Sequence, residues 1–295
     1  MAPWVVVTLA AAAVQTLRFL LQKRLAGAGP GAGGATLARF AFGAPLAAAL
    51  AGVLIWRGGA MPALPAAFWG WTVIGGAAQA IATQATVALF ARRNFAVGIA
   101  FTKTETVMVA ALSAMLLGEA VGWAGMAAIL TGLAGVLALS WPARAPPGAV
   151  LNPSSGLGLM AGGAFAISAI GYRGATTAID GGPVLRAALA LAVVTTLQSV
   201  GMALWLRLTA PGSLTRMARA WRPAAAIGVT GFLGSLGWFT AFALQNAAWV
   251  RALGQVELAF SVLASALILR EGMGRRDALG LVLIGASVVA ILLLV

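Results

Sequence analysis

The chain has 295 residues, of which 61% are hydrophobic and only 8% are charged. An ordinary soluble domain carries about 25% charged residues, so this composition excludes both a water-facing surface of the usual kind and intrinsic disorder. We therefore expect an all-α polytopic membrane protein, most of whose outer surface contacts lipid.

The charge that remains is mostly basic, with a formal net charge of +13. The basic residues occur in ones, twos and threes between apolar stretches, which argues against the continuous basic surface of a nucleic-acid-binding protein. The chain has no cysteine and no histidine, so we expect no disulfide, no metal site and no cofactor. Without histidine, a coupled proton has to be carried by a carboxylate.

Ten apolar stretches come close to the length of about 20 residues that a membrane-spanning helix needs. In chain order they cover residues 4–21, 36–56, 68–90, 96–117, 121–141, 156–170, 184–206, 221–244, 247–269 and 278–295. Most tryptophans lie near the ends of these stretches, as expected for the membrane–water boundary, whereas Trp238 lies well inside the eighth. The sequence therefore predicts ten transmembrane helices.

The basic residues are unequally divided between the two sets of connections. Most of them, Arg18 and Arg39 included, are assigned to the connections that follow the first, third, fifth, seventh and ninth stretches. The opposite side has Arg57, Arg173, Arg186 and Arg251. Because cytoplasmic connections are enriched in Lys and Arg, this distribution predicts that both termini lie outside.

The two halves of the chain carry the same pattern of acidic residues. Glu119 follows Glu105 by 14 positions, and Glu271 follows Glu257 by the same spacing. Two copies of an odd number of helices cross the membrane in opposite directions, so we predict two inverted-topology five-helix repeats, an architecture typical of secondary transporters. The first repeat, the linker and the second repeat are predicted at 1–142, 143–155 and 156–295.

Each half ends in a similar way. Gly118-Glu119 and Arg270-Glu271 follow an apolar run and precede a short turn and a helix punctuated by glycine. With the sequence LARF at 37–40, these features resemble the EamA-type units of the drug/metabolite transporter superfamily, and the resemblance covers essentially the whole chain. It implies a ten-helix transporter, and we expect a multi-pass protein of a bacterial inner membrane. In that family both termini are usually cytoplasmic, opposite to the charge distribution.

Glu105, Glu257 and Lys103 are predicted to lie deep within the fourth and ninth spans. A charged group at that depth costs about 2.5–3.5 kcal/mol on insertion scales, so it is a functional candidate by default. One interpretation is a pair of carboxylates that binds a cationic or zwitterionic substrate, or exchanges a proton for it. The other is a structural ion pair of Glu105 with Lys103 or with Arg18.

Four further residues are predicted to act in structure or gating. Glu119 and Glu271 each precede a predicted helix, where a carboxylate stabilises the free amide groups and the positive end of the helix dipole. Arg39, together with Arg24, flanks the connection between the first two helices, and Arg186, together with Arg173, flanks the equivalent connection in the second half.

Polar side chains within the apolar stretches form a second group of candidates. They either line a transport path or hold helices together through hydrogen bonds, each contributing about 0.6 kcal/mol in a membrane. Trp238 either stacks on an aromatic or cationic substrate or packs in the interior. The other members of this group are Gln15, Arg18, Gln84, Thr102 and Gln255.

These features predict a secondary transporter that moves a small organic metabolite or drug-like solute by alternating access. Amino acids and cationic compounds are candidate substrates for export, and proton coupling is a further hypothesis. A passive channel or a lipid flippase is the alternative. An enzyme is not expected, because the chain lacks the groups that hydrolytic or metal-dependent chemistry needs. The expected partners are the substrate, membrane lipids and protons, with the chain as a monomer or homodimer.

Overall fold

The computed structural model describes residues 2–58, 60–89, 101–140, 153–268 and 274–295. Within these ranges every regular element is helical. Eight of the described helices are long and apolar enough to cross a membrane. The chain is therefore an α-helical, multi-pass membrane protein, as its composition predicts.

The helices are numbered here in chain order. They are α1 (Pro3–Gly27), α2 (Gly31–Gly58), α3 (Ala66–Leu89), α4 (Glu105–Leu117), α5 (Trp123–Ser140), α6 (Pro153–Thr177), α7 (Pro183–Thr209), α8 (Ser213–Arg219), α9 (Trp221–Leu244), α10 (Ala247–Leu253), α11 (Val256–Ile268) and α12 (Arg275–Leu294).

Helix α6 is longer than the sixth predicted span, 156–170. It begins at Pro153, inside the predicted linker 143–155, of which the structure describes only the last three residues. Proline is well suited to the first position of a helix because its missing N–H would have no partner there. Ser154 and Ser155 are buried, so small residues that resemble a linker in the sequence are packed helix.

The structure interrupts two stretches that the sequence predicts as continuous spans, 96–117 and 247–269. A turn at Lys103 and Thr104 precedes α4, and a turn at Gly254 and Gln255 separates α10 from α11. The predictions are wrong at these points because average hydropathy does not respond to a two-residue turn that is packed inside the protein.

Local contacts stabilise both interruptions. Thr104 Oγ1 donates to the Phe101 carbonyl at 2.7 Å, and Thr106 Oγ1 donates to the Lys103 carbonyl at 3.1 Å. These hydroxyls satisfy carbonyls that the broken helix frees. At the second turn, a Cβ on Gly254 would lie 2.5 Å from the Trp238 ring, so glycine is required for that close approach.

The helices pack in a set of close pairs. Helix α3 packs on α6, α1 on α9, α2 on α7 and α9, and α5 on α12. Glycines permit the closest approaches: a Cβ on Gly171 of α6 would lie 2.6 Å from the Gly75 Cα of α3, and one on Gly228 of α9 would lie 2.2 Å from Phe42 of α2. The buried interior between these pairs contains the polar residues described next.

Candidate functional site

Two ion pairs join the segments around the two interruptions. Lys103, in the interruption that precedes α4, pairs with Glu257 of α11. Arg251 of α10 pairs with Glu105 of α4. Each pair therefore takes its cation from one half of the chain and its carboxylate from the other. Both carboxylates lie in the first turn of a helix, where the positive end of the helix dipole stabilises them.

This pairing corrects the structural interpretation of Glu105. The sequence offered Lys103 or Arg18 as its partner, and the structure forms neither pair. Lys103 and Glu105 are two positions apart, a spacing that does not bring side chains face to face on a helix, and each pairs instead with a residue of the other half. The partner is Arg251, which comes from a helix 146 positions further along the chain.

A cavity of about 250 Å³ lies beside the two ion pairs. Its lining extends from buried Gln15 to exposed Lys23 along α1, so the cavity opens toward the end of the bundle where α1 ends, which we call the Lys23 end. The four paired residues all contribute to its wall. The other lining residues are Thr16, Phe19, Leu20, Thr86, Thr102, Phe165 and Leu258.

Gln15 connects the ion pairs to the interior of the bundle. Its Nε2 donates to Glu257 Oε2 at 2.7 Å, while its Oε1 accepts from Trp238 Nε1 at 3.1 Å and from Arg18 Nη2 at 3.3 Å. The Trp238 ring also lies under the Arg251 guanidinium, 4.8 Å from its centroid. Glu257 is thus held by Gln15 of α1, and Arg251 is held by the ring of Trp238 of α9.

A second, smaller cavity of about 20 Å³ lies deeper in the bundle. It shares Gln15, Phe165 and Arg251 with the larger cavity. Aromatic rings form much of the remaining wall, including Tyr172 and Phe239, whose centroids are 4.1 Å apart. The two cavities are therefore neighbours separated by three shared side chains.

Arg39 faces this smaller cavity from α2. Its two terminal nitrogens donate to Thr83 Oγ1 and Ser235 Oγ, each at 3.0 Å. Arg18 is buried nearby and donates to Gln15 and Gln22. Only 6% of Arg39 and 2% of Arg18 are exposed, so assigning them to water-facing connections is wrong. Both positions fall inside the predicted spans as well as inside α1 and α2, and each side chain is turned toward the interior of the bundle rather than toward a connection.

A separate cluster, the Glu119 cluster, lies at the opposite end of the bundle from Lys23. Glu119 Oε1 accepts hydrogen bonds from Arg173 Nε at 2.9 Å and Nη2 at 2.6 Å, and Arg173 Nη1 donates to the Phe242 carbonyl at 2.6 Å. Asn246 Nδ2 donates to the Glu119 carbonyl at 3.0 Å. The cluster links the end of α4 to α6 and to the connection between α9 and α10.

The expected helix-capping role of Glu119 is therefore corrected. Its carboxylate binds an arginine of α6 rather than the amide groups of α5, because Arg173 is part of α6 and not of a connection. Arg186 donates to the carbonyls of Thr176 and Ala243 at 3.2 and 2.9 Å, near the same end of the bundle. Glu271 lies outside the described residues.

Two candidates lie away from the central cavities. Gln255 is buried against Gly132 of α5, and neither amide atom of its side chain has a hydrogen-bond partner among the described residues. Gln84 lines a groove of about 430 Å³ between α3 and α7. That groove is largely apolar and includes the exposed residues Val73 and Ile81, so in a membrane it faces lipid.

Arg251 is the main site residue that sequence reasoning missed. The predicted eighth and ninth spans, 221–244 and 247–269, leave only two residues between them, so an arginine at 251 had to lie on the ninth span. Tyr172 was also missed because it lies beyond the end of the predicted sixth span, 156–170. Phe165 and Ser168 lie within that span, but nothing in the local sequence distinguishes them. These residues reach the site only through the packing of α6 against α3.

Comparison with known proteins shows that the fold is shared with solved structures and identifies no function. No family model matches the chain, and no curated protein matches it. Fifteen chains among the solved structures do match. One of them, a crystal structure of a protein, covers 99% of this chain and 97% of its own length with a TM-score of 0.73 and 19% sequence identity. At that identity the likeness concerns the fold alone.

Proposed function

We propose that this chain is a secondary transporter that moves a small organic solute by alternating access. The observation that carries the proposal is the central cavity, where two interrupted helices present carboxylates that pair across the halves of the chain. Discontinuous helices with charged groups at membrane depth are typical of transporter binding sites. An ion pair between two moving halves can break and form again during a transport cycle.

The packing supports the inverted repeat that such a mechanism uses. If the first five predicted spans correspond in order to the last five, the contact of α3 with α6 is equivalent to that of α9 with α1. In the pairs α2 with α7 and α5 with α12, the two helices that contact each other are the corresponding helices of the two repeats. We propose ten spans, of which α4 with the residues before it forms the fourth, and α10 with α11 forms the ninth.

The two ends of the bundle support one state of an alternating-access cycle. The central cavity opens toward the Lys23 end, and the Glu119 cluster joins the helices at the other end. Exposed basic residues are concentrated at the Lys23 end, among them Lys23, Arg24 and Arg216, even after Arg18 and Arg39 are excluded. We propose that this end is cytoplasmic. A reporter that is active only in the cytoplasm, fused to the C-terminus, should then be inactive.

The same arrangement argues against a lipid flippase. A flippase needs a polar lateral groove for a lipid headgroup, whereas the lateral groove between α3 and α7 is largely apolar and has no charged residue in its lining. The charged residues instead surround the central cavity. A passive channel is distinguished from a carrier by flux, because only a carrier saturates and shows competition between substrates.

The test begins with purified protein and a library of organic solutes. Solutes that raise the melting temperature are then measured for uptake into proteoliposomes. We expect saturable uptake that unlabelled solute inhibits, and at least a tenfold lower initial rate in Glu105→Gln and Glu257→Gln, on the order of the loss of one charged hydrogen bond.

Asp180→Asn provides the matched control, because Asp180 is an exposed carboxylate away from the cavity. It should transport as the wild type does. Uptake that does not saturate would reject the carrier in favour of a channel. If both glutamine variants keep the wild-type response to a pH gradient, proton coupling through these carboxylates is rejected.

A further inference from the structure

The buried centre of the bundle contains more positive than negative charge. The pairs Lys103–Glu257 and Arg251–Glu105 each cancel. Arg18 and Arg39 are also buried there, and no carboxylate among the described residues forms an ion pair with either of them. Their side chains contact amide and hydroxyl groups and the rings of Phe19 and Phe40.

The side chains of these two arginines are also close to each other. Both side chains pack against Gly231 of α9, where a Cβ would lie 2.8 Å from Arg39 Cγ and 3.6 Å from Arg18 Cδ. Two neighbouring cations in a buried site repel each other and have lost their hydration. A ligand with a negative charge would offset both costs.

The smaller cavity provides a place for that charge. Arg39 and Arg251 both line it, and the hydroxyl groups of Ser235 and Tyr172 are in the same wall. Arg251 donates to Glu105 through Nη2, while its buried Nε has no hydrogen-bond partner. Arg251 therefore has one unused donor, Nε, which could bind an acceptor without releasing Glu105 once a movement of the cavity wall uncovers it.

The size and the walls of this cavity restrict the anion. Its volume of about 20 Å³ exceeds only slightly the roughly 10–15 Å³ that one water needs, so it accepts a carboxylate oxygen more readily than a tetrahedral phosphate. An aromatic ring is too large for this space, so it would lie in the adjoining cavity, whose wall includes the rings of Phe19 and Phe165. The adjoining cavity of about 250 Å³ has room for the remainder of a small molecule.

From these contacts we infer that Arg39 and Arg251 together bind the carboxylate of a small aromatic organic acid, which is the transported anion. This inference rests on the proposed transport function and names its substrate class. It differs from a cationic substrate bound by Glu105 and Glu257, because both carboxylates already have cationic partners. Arg18 acts as a positioning residue through Gln15, which its guanidinium contacts.

The test compares molecules of similar shape and different charge. Benzoate, benzamide and benzylamine are titrated into purified protein at constant ionic strength, with inorganic phosphate as a further arm, and binding is measured from the melting temperature and from tryptophan fluorescence. We expect benzoate to bind at least about tenfold more tightly than benzamide, on the order of one charged hydrogen bond. Equal binding of benzylamine, tighter binding of phosphate, or no binding of benzoate overturns the inference.

Variants locate the site. In Arg39→Gln the affinity for benzoate should fall at least about tenfold, Arg39→Lys should restore part of it, and the exposed control Arg219→Gln should behave as the wild type does. Unchanged benzoate affinity in Arg39→Gln overturns the assignment. The comparison of benzoate with benzylamine uses wild-type protein, so it decides the anion preference even if a variant fails to fold.

The outcomes for binding and transport are separable. Selective benzoate binding without flux of any library solute supports the anion site and rejects the carrier. Saturable flux of a cation by protein that binds no benzoate supports the carrier and rejects the anion site.

Discussion

The central ion pairs and the Glu119 cluster use the same kinds of residue in different ways. In the Glu119 cluster the carboxylate of Glu119 accepts from Arg173 and Ser113, and Arg173 also donates to a main-chain carbonyl. At the centre, Glu105 Oε2 and Arg251 Nε are buried without a partner among the described residues. The carboxylate of the Glu119 cluster therefore has hydrogen-bond partners for both oxygens, whereas the central pair has an acceptor and a donor left for a further group.

The side chains of the central pair are also more deeply buried than those of the Glu119 cluster. The side chains of Arg173 and Glu119 are 16% and 24% exposed, whereas those of Arg251 and Glu105 are 12% and 4% exposed and line a cavity. Burial increases the cost of an unpaired charge. The comparison indicates that the Glu119 cluster holds helices together, while the central pairs also have buried polar atoms without a partner among the described residues, as the proposed substrate site needs.

The largest expected effect comes from breaking a central pair. Arg251→Gln leaves Glu105 buried without its cation, so we expect a loss of about 3–5 kcal/mol in the free energy of unfolding. Adding Glu105→Gln removes the orphaned charge and should restore most of that stability, while transport stays impaired. Denaturation in detergent mixtures and proteoliposome uptake measure the two quantities. If the free energy of unfolding falls by less than about 1 kcal/mol in Arg251→Gln, this pair contributes no more than an ordinary surface ion pair.

A smaller effect is expected at the Glu119 cluster. Arg173→Gln removes charged hydrogen bonds from a carboxylate that solvent can still reach, so we expect a loss of about 1–3 kcal/mol. Substrate affinity should remain that of the wild type, because this cluster does not line the cavity. A fall in the initial rate of uptake as large as the tenfold fall expected for Glu105→Gln would remove the distinction between the two regions.

The smallest effect is expected at Gln255. Its side-chain amide has no hydrogen-bond partner among the described residues, so replacing it with an apolar group of similar size avoids the desolvation penalty of an unsatisfied amide. In Gln255→Leu we expect stability within about 0.5 kcal/mol of the wild type, or higher, with unchanged transport. Gln15→Leu is the contrasting variant, because it removes hydrogen bonds to Glu257, Trp238 and Arg18 and should impair both. A loss of transport in Gln255→Leu would show that Gln255 takes part in transport although it lies away from the central cavities.

Much of the fold could be predicted from the sequence, but less of the candidate site could be. The eight long helices coincide with eight of the predicted spans because a bilayer requires apolar stretches of a particular length. The interruptions at Lys103–Thr104 and Gly254–Gln255 were not accessible, because two residues hardly change the hydropathy of a long window. The partner of Glu105 was not accessible either, since a pairing across 146 positions leaves no periodic pattern in the chain.

The amino-acid sequence by itself determined that this is an α-helical membrane protein with few charged residues, among which Glu105 and Glu257 stand out. Composition and residue spacing suffice for that, because hydrophobic burial in lipid depends on local sequence. Only the tertiary structure decided that each of the two carboxylates pairs with a cation from the other half, and that Arg18 and Arg39 are buried with no carboxylate partner in the described part of the chain. Those facts depend on which helix faces meet, and it is this packing of distant segments that creates the cavities and their charge.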